Sequence, residues 1–188
     1  IEPFSFGIVG SGYNNWGSDG PDAKVYYDYT SDTWKAGVKL LDGEIKIRLN
    51  NDWGTNYGDD GADGTLDLDG ANIAVTAGHY LLTVDLNAGT YTLEAADVWG
   101  VVGSGYNDWG ATPDFSLTAL NTETVVGDIV TLIDGEIKFR VNNDWGVNYG
   151  DNGTGVLEAD GGNIAVTAGL YRVVINLTDN TYALNKIQ

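Results

Sequence analysis

The chain is expected to be all-β: two tandem antiparallel β-sandwiches with no helical layer. Three observations carry that expectation. Nearly the whole sequence is written twice, at a spacing of about 92 residues. Within each copy the apolar residues alternate with period two, the signature of a half-buried strand. Turn residues punctuate those segments, with 27 glycines in 188 residues, and no stretch shows a capped 3.6-residue period.

The repeat sets the domain organisation. The segment from Phe6 through Gly10, Tyr13 and Trp16 recurs from Trp99 through Gly103, Tyr106 and Trp109. The segment from Asp42 through Lys46, Arg48, Trp53 and Tyr57 to Asp59 recurs from Asp134 through Lys138, Arg140, Trp145 and Tyr149 to Asp151. Asn72 to Tyr80 recurs as Asn163 to Tyr171. The offset falls from 93 to 92 to 91, as expected of one-residue deletions just before Pro113 and near Gly155. A period this long exceeds any solenoid repeat and describes two domains, 1–96 and 97–188, meeting near Ala95, Ala96 and Asp97 with almost no linker.

Strand assignments follow in order. Phe6 and Trp99 open the first strand of each unit and read as core. Trp34, with Val126 opposite it in the second copy, reads as core or edge packing. Ile45, Ile47 and Leu49 alternate with Glu44, Lys46, Arg48 and Asn50, so one set faces the core and the other faces outward. Ile137, Phe139 and Val141 alternate in the same way with Glu136, Lys138, Arg140 and Asn142. Segments 82–86 and 173–177, each followed by a turn and a closing strand at 90–93 or 181–184, read as hairpins.

Composition excludes several functions. The net charge is −18, from 27 acidic and 9 basic residues, with a pI near 4.1. That field repels nucleic acid and anionic lipid. There is no Cys and one His, His79, which leaves no thiolate chemistry, histidine triad or multi-histidine zinc site. His79 is replaced by Leu170 in the other copy and reads as a strand surface position. No apolar run approaches the roughly 20 residues of a membrane helix. The absence of Met, even at position 1, leads one to expect a processed chain with any signal peptide or lipid anchor outside it. Nothing singles out a carboxylate pair for glycosidase chemistry, so a free-standing enzyme is not expected.

Three places are candidates for binding. Four of the nine basic residues, Lys46, Arg48, Lys138 and Arg140, lie on the outward face of the alternating strands together with Asn50 and Asn142 as further donors, each set followed by a tryptophan, Trp53 or Trp145. Donors that orient hydroxyl groups beside a ring that stacks on a sugar's C–H face form a neutral small-ligand site. The alternative is a solvated face of cross-strand ion pairs. The second place is the glycine-rich loop with Tyr13 and Trp16, or Tyr106 and Trp109. Large rings in a flexible polar loop mark binding, unless they plug the end of the sandwich. No helix follows and no lysine closes the loop, so it is not a phosphate cradle. The third place is the acidic loop with Asp59, Asp60, Asp63, Asp67 and Asp69. Ca²⁺ is conceivable there, but the spacing is not that of an EF-hand and the second copy is poorer in acids, so no cofactor is expected.

The strings at 135–150 and 161–171, with Gly135, Glu136, Lys138, Phe139, Arg140, Asn142, Trp145, Asn148, Tyr149 and Gly150 leading to Asn163, Ile164, Val166, Gly169 and Tyr171, resemble the repeated modules of the starch-utilisation lipoproteins SusE and SusF of Bacteroidetes. They also look like the X modules beside some bacterial pullulanases. The resemblance implies immunoglobulin-like sandwiches that bind glycan, with α-glucan foremost, without cutting it. It implies a lipid-anchored location on the outward side of a Gram-negative outer membrane, alongside other glycan-uptake proteins of that membrane. It assigns the site to a loop aromatic, a strand lysine and a second aromatic, which correspond to Trp109, Lys138 and Trp145, and to Trp16, Lys46 and Trp53. The competing expectations are a structural, adhesive or calcium-stabilised spacer, and an accessory region of a larger glycoside hydrolase.

Overall fold

The structure, a computed structural model, describes residues 4–188. The chain divides into two compact units, Ile1–Ala96 and Asp97–Gln188. The first contains β1 (Phe6–Val9), β2 (Ala23–Lys24), β3 (Tyr26–Asp28), β4 (Thr33–Leu40), β5 (Gly43–Leu49), β6 (Asn56–Gly58), β7 (Asp67–Leu68), β8 (Ile73–Val75), β9 (Gly78–Asp85) and β10 (Thr90–Ala95). The second contains β11 (Trp99–Val102), β12 (Phe115–Ser116), β13 (Thr118–Ala119), β14 (Thr124–Leu132), β15 (Gly135–Val141), β16 (Asp144–Gly150), β17 (Glu158–Ala159), β18 (Ile164–Val166), β19 (Gly169–Asn176) and β20 (Thr181–Lys186). Among the described residues, no helix is long and apolar enough to cross a membrane.

Each unit is a two-sheet antiparallel sandwich, so the all-β tandem architecture read from the sequence is what the structure shows. In the first unit one sheet runs β2-β1-β5-β6-β7, with β8 also on β5, and the other runs β10-β9-β4-β3. The second unit repeats both: β12-β11-β15-β16-β17, with β18 on β15, and β13-β14-β19-β20. Alternation supplies the core. Ile45 and Ile47 of β5 and Phe6 and Ile8 of β1 meet Ala36, Val38, Leu40, Leu82 and Val84 from the facing sheet, and all are essentially inaccessible to solvent. Burying each large aliphatic side chain contributes about 1.5–3 kcal/mol. The other face of β1 and β5 carries Gly7, Val9, Lys46 and Arg48, and it is on this face that the site is built. Val9 and its counterpart Val102, on this face, are fully buried yet outside the core clusters.

Register exposes two details that pattern alone misses. Trp34 pairs with Val84, and Val125 pairs with Ile175, the counterpart of Val84. The residue equivalent to Trp34 is therefore Val125 and not Val126. The turn before β14 is one residue shorter than the turn before β4, and β14 recovers the residue as a bulge between Gly127 and Val130. These two changes cancel over a short stretch, so the offset on either side hides them. A further difference is a single 3₁₀ turn at Asn15–Gly17; one turn of this kind leaves no periodic signal.

Candidate functional site

The site begins with a loop that leaves the end of β1 and folds back on its own sheet. Asn15 and Trp16 have φ of 50° and 61°, and Asp108 and Trp109 have φ of 50° and 60°. A tryptophan in the left-handed region costs about 1–3 kcal/mol and persists only where its surroundings impose it. The imposing residue is a buried asparagine. The Oδ1 atom of Asn14 accepts from the amides of Gly10 and Gly17 at 3.1 and 3.2 Å, bracketing the strained pair. Its Nδ2 donates to the carbonyl of Gly20 and to Asp22. Asn107 makes the same four bonds, to Gly103, Gly110, Thr112 and Asp114.

Asp22 then grips an arginine. Arg48 donates from Nε and Nη2 to the two carboxylate oxygens of Asp22 at 2.6 and 2.8 Å, and Arg140 does so to Asp114 at the same two distances. The pairs are buried, and the Asp22 bonds hold the Arg48 guanidinium charged, above its ordinary value. A bidentate pair fixes the plane of the guanidinium as well as its position. On that plane rests the second tryptophan: Arg48 Cζ lies 4.6 Å from the Trp53 ring centroid, and Arg140 Cζ lies 4.6 Å from that of Trp145. Gly17 and Gly110, with φ of 92° and 106°, are required here twice over, since a Cβ would also come within 3.1 and 2.9 Å of the arginine Nη2.

The backbone of each second tryptophan is also tethered. Asp52 Oδ1 accepts from the amide of Gly54, and Asp144 Oδ1 from that of Gly146, forming a tight turn about the ring. Asn56 Nδ2 donates to the carbonyl of Trp53 and to Asp69, and Asn148 donates to Trp145 and Asp160. The Oδ1 atoms of Asn56 and Asn148 are buried without a partner. The outcome is a ring pair: Trp16 and Trp53 have centroids 6.0 Å apart and planes 41° apart, and Trp109 and Trp145 are 6.1 Å and 40° apart. Trp53 and Trp145 are 44% and 43% exposed, while Trp16 and Trp109 are partly buried.

Of the eight residues singled out, the structure brings Trp16, Arg48 and Trp53 into contact, and likewise Trp109, Arg140 and Trp145. Lys46 and Lys138 lie two residues before the arginine on the same face, paired in register with Val9 and Val102, and no carboxylate of the described residues forms an ion pair with either. One expectation is corrected. Arg48 and Arg140 were expected as open outward donors, yet they are only 6% and 5% exposed, and their Nε and Nη2 are committed to a carboxylate. Asn50 and Asn142 also serve the turn: both have positive φ, and their Oδ1 atoms accept from the amides of Ser5 and Val98. The residues missed were Asn14, Asp22, Asn51 and Asn56 with their counterparts. Asn51 Oδ1 receives the amide of Asp22, and Asn143 that of Asp114, so each hairpin is tied to the carboxylate that holds its arginine.

In the acidic loop the Asp59 carboxylate turns inward and accepts from the amides of Gly61, Asp63 and Gly64 and from the hydroxyl of Tyr91. Asp151 is bonded in the same way to Gly153, Thr154, Gly155 and Tyr182. The arrangement closes a loop on itself. Among the described residues no group of three His, Cys, Asp or Glu side chains is placed to hold a metal ion.

Residues 99–183 match the model of a family described as SusF/SusE starch specific CBMs, that is, carbohydrate-binding modules. No curated protein matches the chain. The match spans almost the whole of the second sandwich, from β11 into β20, and takes in Trp109, Lys138, Arg140 and Trp145. Over these residues the second unit is similar to the carbohydrate-binding modules of the SusE/SusF type.

Proposed function

We propose that both units are non-catalytic glycan-binding modules whose ligand is a neutral α-glucan chain, and that the protein captures polysaccharide for uptake at the outer surface of a bacterial outer membrane. The observation that carries this reading is the pair of tryptophans held about 40° apart on an arginine platform, present in both units. Stacking needs flat apolar faces fixed in advance, because ordering a loose side chain subtracts from affinity. A bent pair of faces suits a chain that turns from one sugar to the next, as an α-1,4-glucan does; a flat β-glucan ribbon would favour coplanar rings. Lys46 and Lys138 supply hydrogen-bond donors to hydroxyls beside the rings. Arg48 and Arg140 act by holding Trp53 and Trp145 and are positioning residues. The starch specificity in the family's description agrees with this geometry, and the near identity of the two sites extends the reading to the first unit.

Each site offers two rings and a few exposed hydrogen bonds, which corresponds to a Kd between about 10 µM and 1 mM. Two such sites on one polymer add avidity when one chain reaches both. Native affinity electrophoresis against amylopectin, pullulan, dextran, laminarin, xylan and alginate tests the reading. Retardation by the α-glucans, weakened by Trp53→Ala and by Trp145→Ala, is the expected result. Retardation by another polymer alone would discard the α-glucan assignment. No retardation by any of them would favour a structural spacer.

A further inference from the structure

The first unit carries a second aromatic surface that the second unit lacks. Phe4, Trp34, Tyr27 and Tyr29 form a connected strip along the β3 edge of its sheet. Phe4 and Trp34 have centroids 5.2 Å apart, Trp34 and Tyr27 are 5.3 Å apart, and Tyr27 and Tyr29 are 6.0 Å apart. The strip is rooted in the core, where Trp34 packs edge-on against buried Phe6 at 5.8 Å, and it ends in solvent: Phe4, Tyr27 and Tyr29 are 50%, 41% and 89% exposed. By register the corresponding residues of the second unit are Asp97, Val125, Ala119 and Asn121. The same backbone therefore folds without these rings, so the rings are not demanded by the sandwich. Contiguous exposed rings on an edge strand are costly unless something covers them.

The polar surroundings indicate what that is. The Tyr27 hydroxyl donates to Asp32 Oδ1 at 2.5 Å, and Asn87 Nδ2 donates to Asp32 Oδ2 at 2.8 Å, so a planar carboxylate is locked at the rim of the strip. Asp28, between Tyr27 and Tyr29 in sequence, is buried and bonded to Ser31, Thr30 and Lys35, so it is not part of the rim. Asp32 is the fixed acceptor at the rim, and the unit has 15 acidic against 5 basic residues. An anionic partner is repelled there, whereas an uncharged ligand bearing many hydroxyl donors and apolar C–H faces matches both rings and rim. We propose that the Phe4–Trp34–Tyr27–Tyr29 strip is a second glycan-contact surface of the first unit, for the same neutral chain that the tryptophan pairs bind. It rests on the function proposed above and adds that the two units contribute unequally to polymer capture.

The test uses the full chain carrying Trp53→Ala and Trp145→Ala, with and without Tyr27→Ala and Tyr29→Ala. Tyr29 is almost wholly exposed, so its removal leaves the fold intact. The probes are a linear α-1,4-glucan heptasaccharide, followed on the tyrosine ring resonances by NMR, and amylopectin in affinity gels. The expected result is a saturable shift of the Tyr27 and Tyr29 rings in the Trp53→Ala/Trp145→Ala protein, with residual retardation at least threefold weaker once both tyrosines are removed. Unmoved tyrosines in a wild-type protein whose Trp53 indole does shift would overturn the strip and leave the proposed function standing. No shift at either place would overturn both. A tyrosine-dependent change in sedimentation without a sugar-induced shift would overturn the proposal in favour of a protein contact.

Discussion

In the first unit Ala23 and Ala36 occupy the positions that Phe115 and Gly127 occupy in the second, and Val25 stands where Leu117 does. The ring of Phe115 and the longer Leu117 fill the space that the methyl of Ala36 takes in the other copy: a Cβ on Gly127 would lie 2.4 Å from Leu117 Cδ2 and 3.0 Å from Phe115 Cε1. Phe115 in turn gives Tyr106 a ring to pack against edge-on at 6.1 Å, and burial pushes the Tyr106 hydroxyl up. Tyr13, in the unit where Ala23 stands in place of that phenylalanine, is 37% exposed. At the other end of β1, Phe6 packs with Trp34, whereas Trp99 stacks on Tyr149 at 4.8 Å beside Val125. Yet the paired tryptophans, the arginine beneath them and its carboxylate agree between units to 0.1 Å and 1°. Cores tolerate such exchanges if volume is kept. The site does not, because its geometry comes from directional bonds to Asn14 and Asp22 or to Asn107 and Asp114.

The largest effect is expected where those bonds are cut. Asp114→Ala leaves a buried guanidinium without its carboxylate and should destabilise the second unit by about 3–5 kcal/mol. Asp22→Ala should do the same to the first unit, read in urea unfolding. Closely matching costs would establish that the two supports are equivalent. A cost below about 1 kcal/mol in either would show that water reaches the pair, and would break the comparison at its strongest point.

Gly127→Ala should cost about 1–3 kcal/mol by overpacking. Made together with Phe115→Ala and Leu117→Val, which bring the second unit to the first unit's arrangement, the same change should cost much less than the sum of the parts. That coupling, read from a multiple-mutant cycle, is what volume exchange requires. Additive costs would mean that the two cores differ for some other reason.

On ligand affinity, Trp53→Ala and Trp145→Ala should each weaken their own site about tenfold, or about 1.4 kcal/mol. Arg140→Lys keeps the charge and loses the flat bidentate support, so a loss of about threefold is expected without any direct sugar contact. Titration calorimetry of single-site variants separates the two. An unaltered affinity in Arg140→Lys would show that Trp145 needs no platform.

Much of the architecture was legible because it is periodic. Alternation at 44–50 and 136–142 placed Ile45, Ile47, Ile137 and Phe139 inward, and the repeat supplied the tandem arrangement. The paired tryptophans were legible as large rings in polar loops. What supports them was not. Asp22 is one of 27 acids, and its partner Arg48 is 26 residues away, so no local pattern joins them. Arg48 alternates as an outward residue and does face outward; it is buried because Trp53 and the loop close over it, a tertiary fact that strand period cannot carry. Asn50 and Asn142 misled for a related reason: asparagine is both a good hydrogen-bonding ligand residue and the residue best suited to positive φ in a turn, and only the backbone distinguishes the two uses.

The smallest expected difference lies in the acidic loops, where the units bury one carboxylate to different depths. Burial pushes the Asp59 carboxyl up, but the bonds from the Gly64 amide, the Tyr91 hydroxyl and the Asp63 and Gly61 amides outweigh it and hold the group at about 2. Asp151 is also held below the ordinary carboxylate value, first by the Tyr182 hydroxyl and then by loop amides. A carboxyl whose folded value is depressed contributes its stabilisation fully above the ordinary value near 3.8, and loses it as the pH falls through the folded value. The 59–66 loop should therefore stay closed from neutral pH down to about pH 4 and open progressively towards pH 2. The bonds to Asp59, which hold its carboxyl at about 2 in spite of burial, should keep that loop closed to lower pH than the bonds to Asp151 keep the loop at 151–157. Carboxyl ¹³C titration, with amide exchange at Gly64 and Gly155, reads both loops in one sample. Coincident titration near the ordinary value would show that the inward bonds to Asp59 are not maintained in solution. Loss of the pH dependence in Asp59→Asn alone would assign it to that one carboxylate.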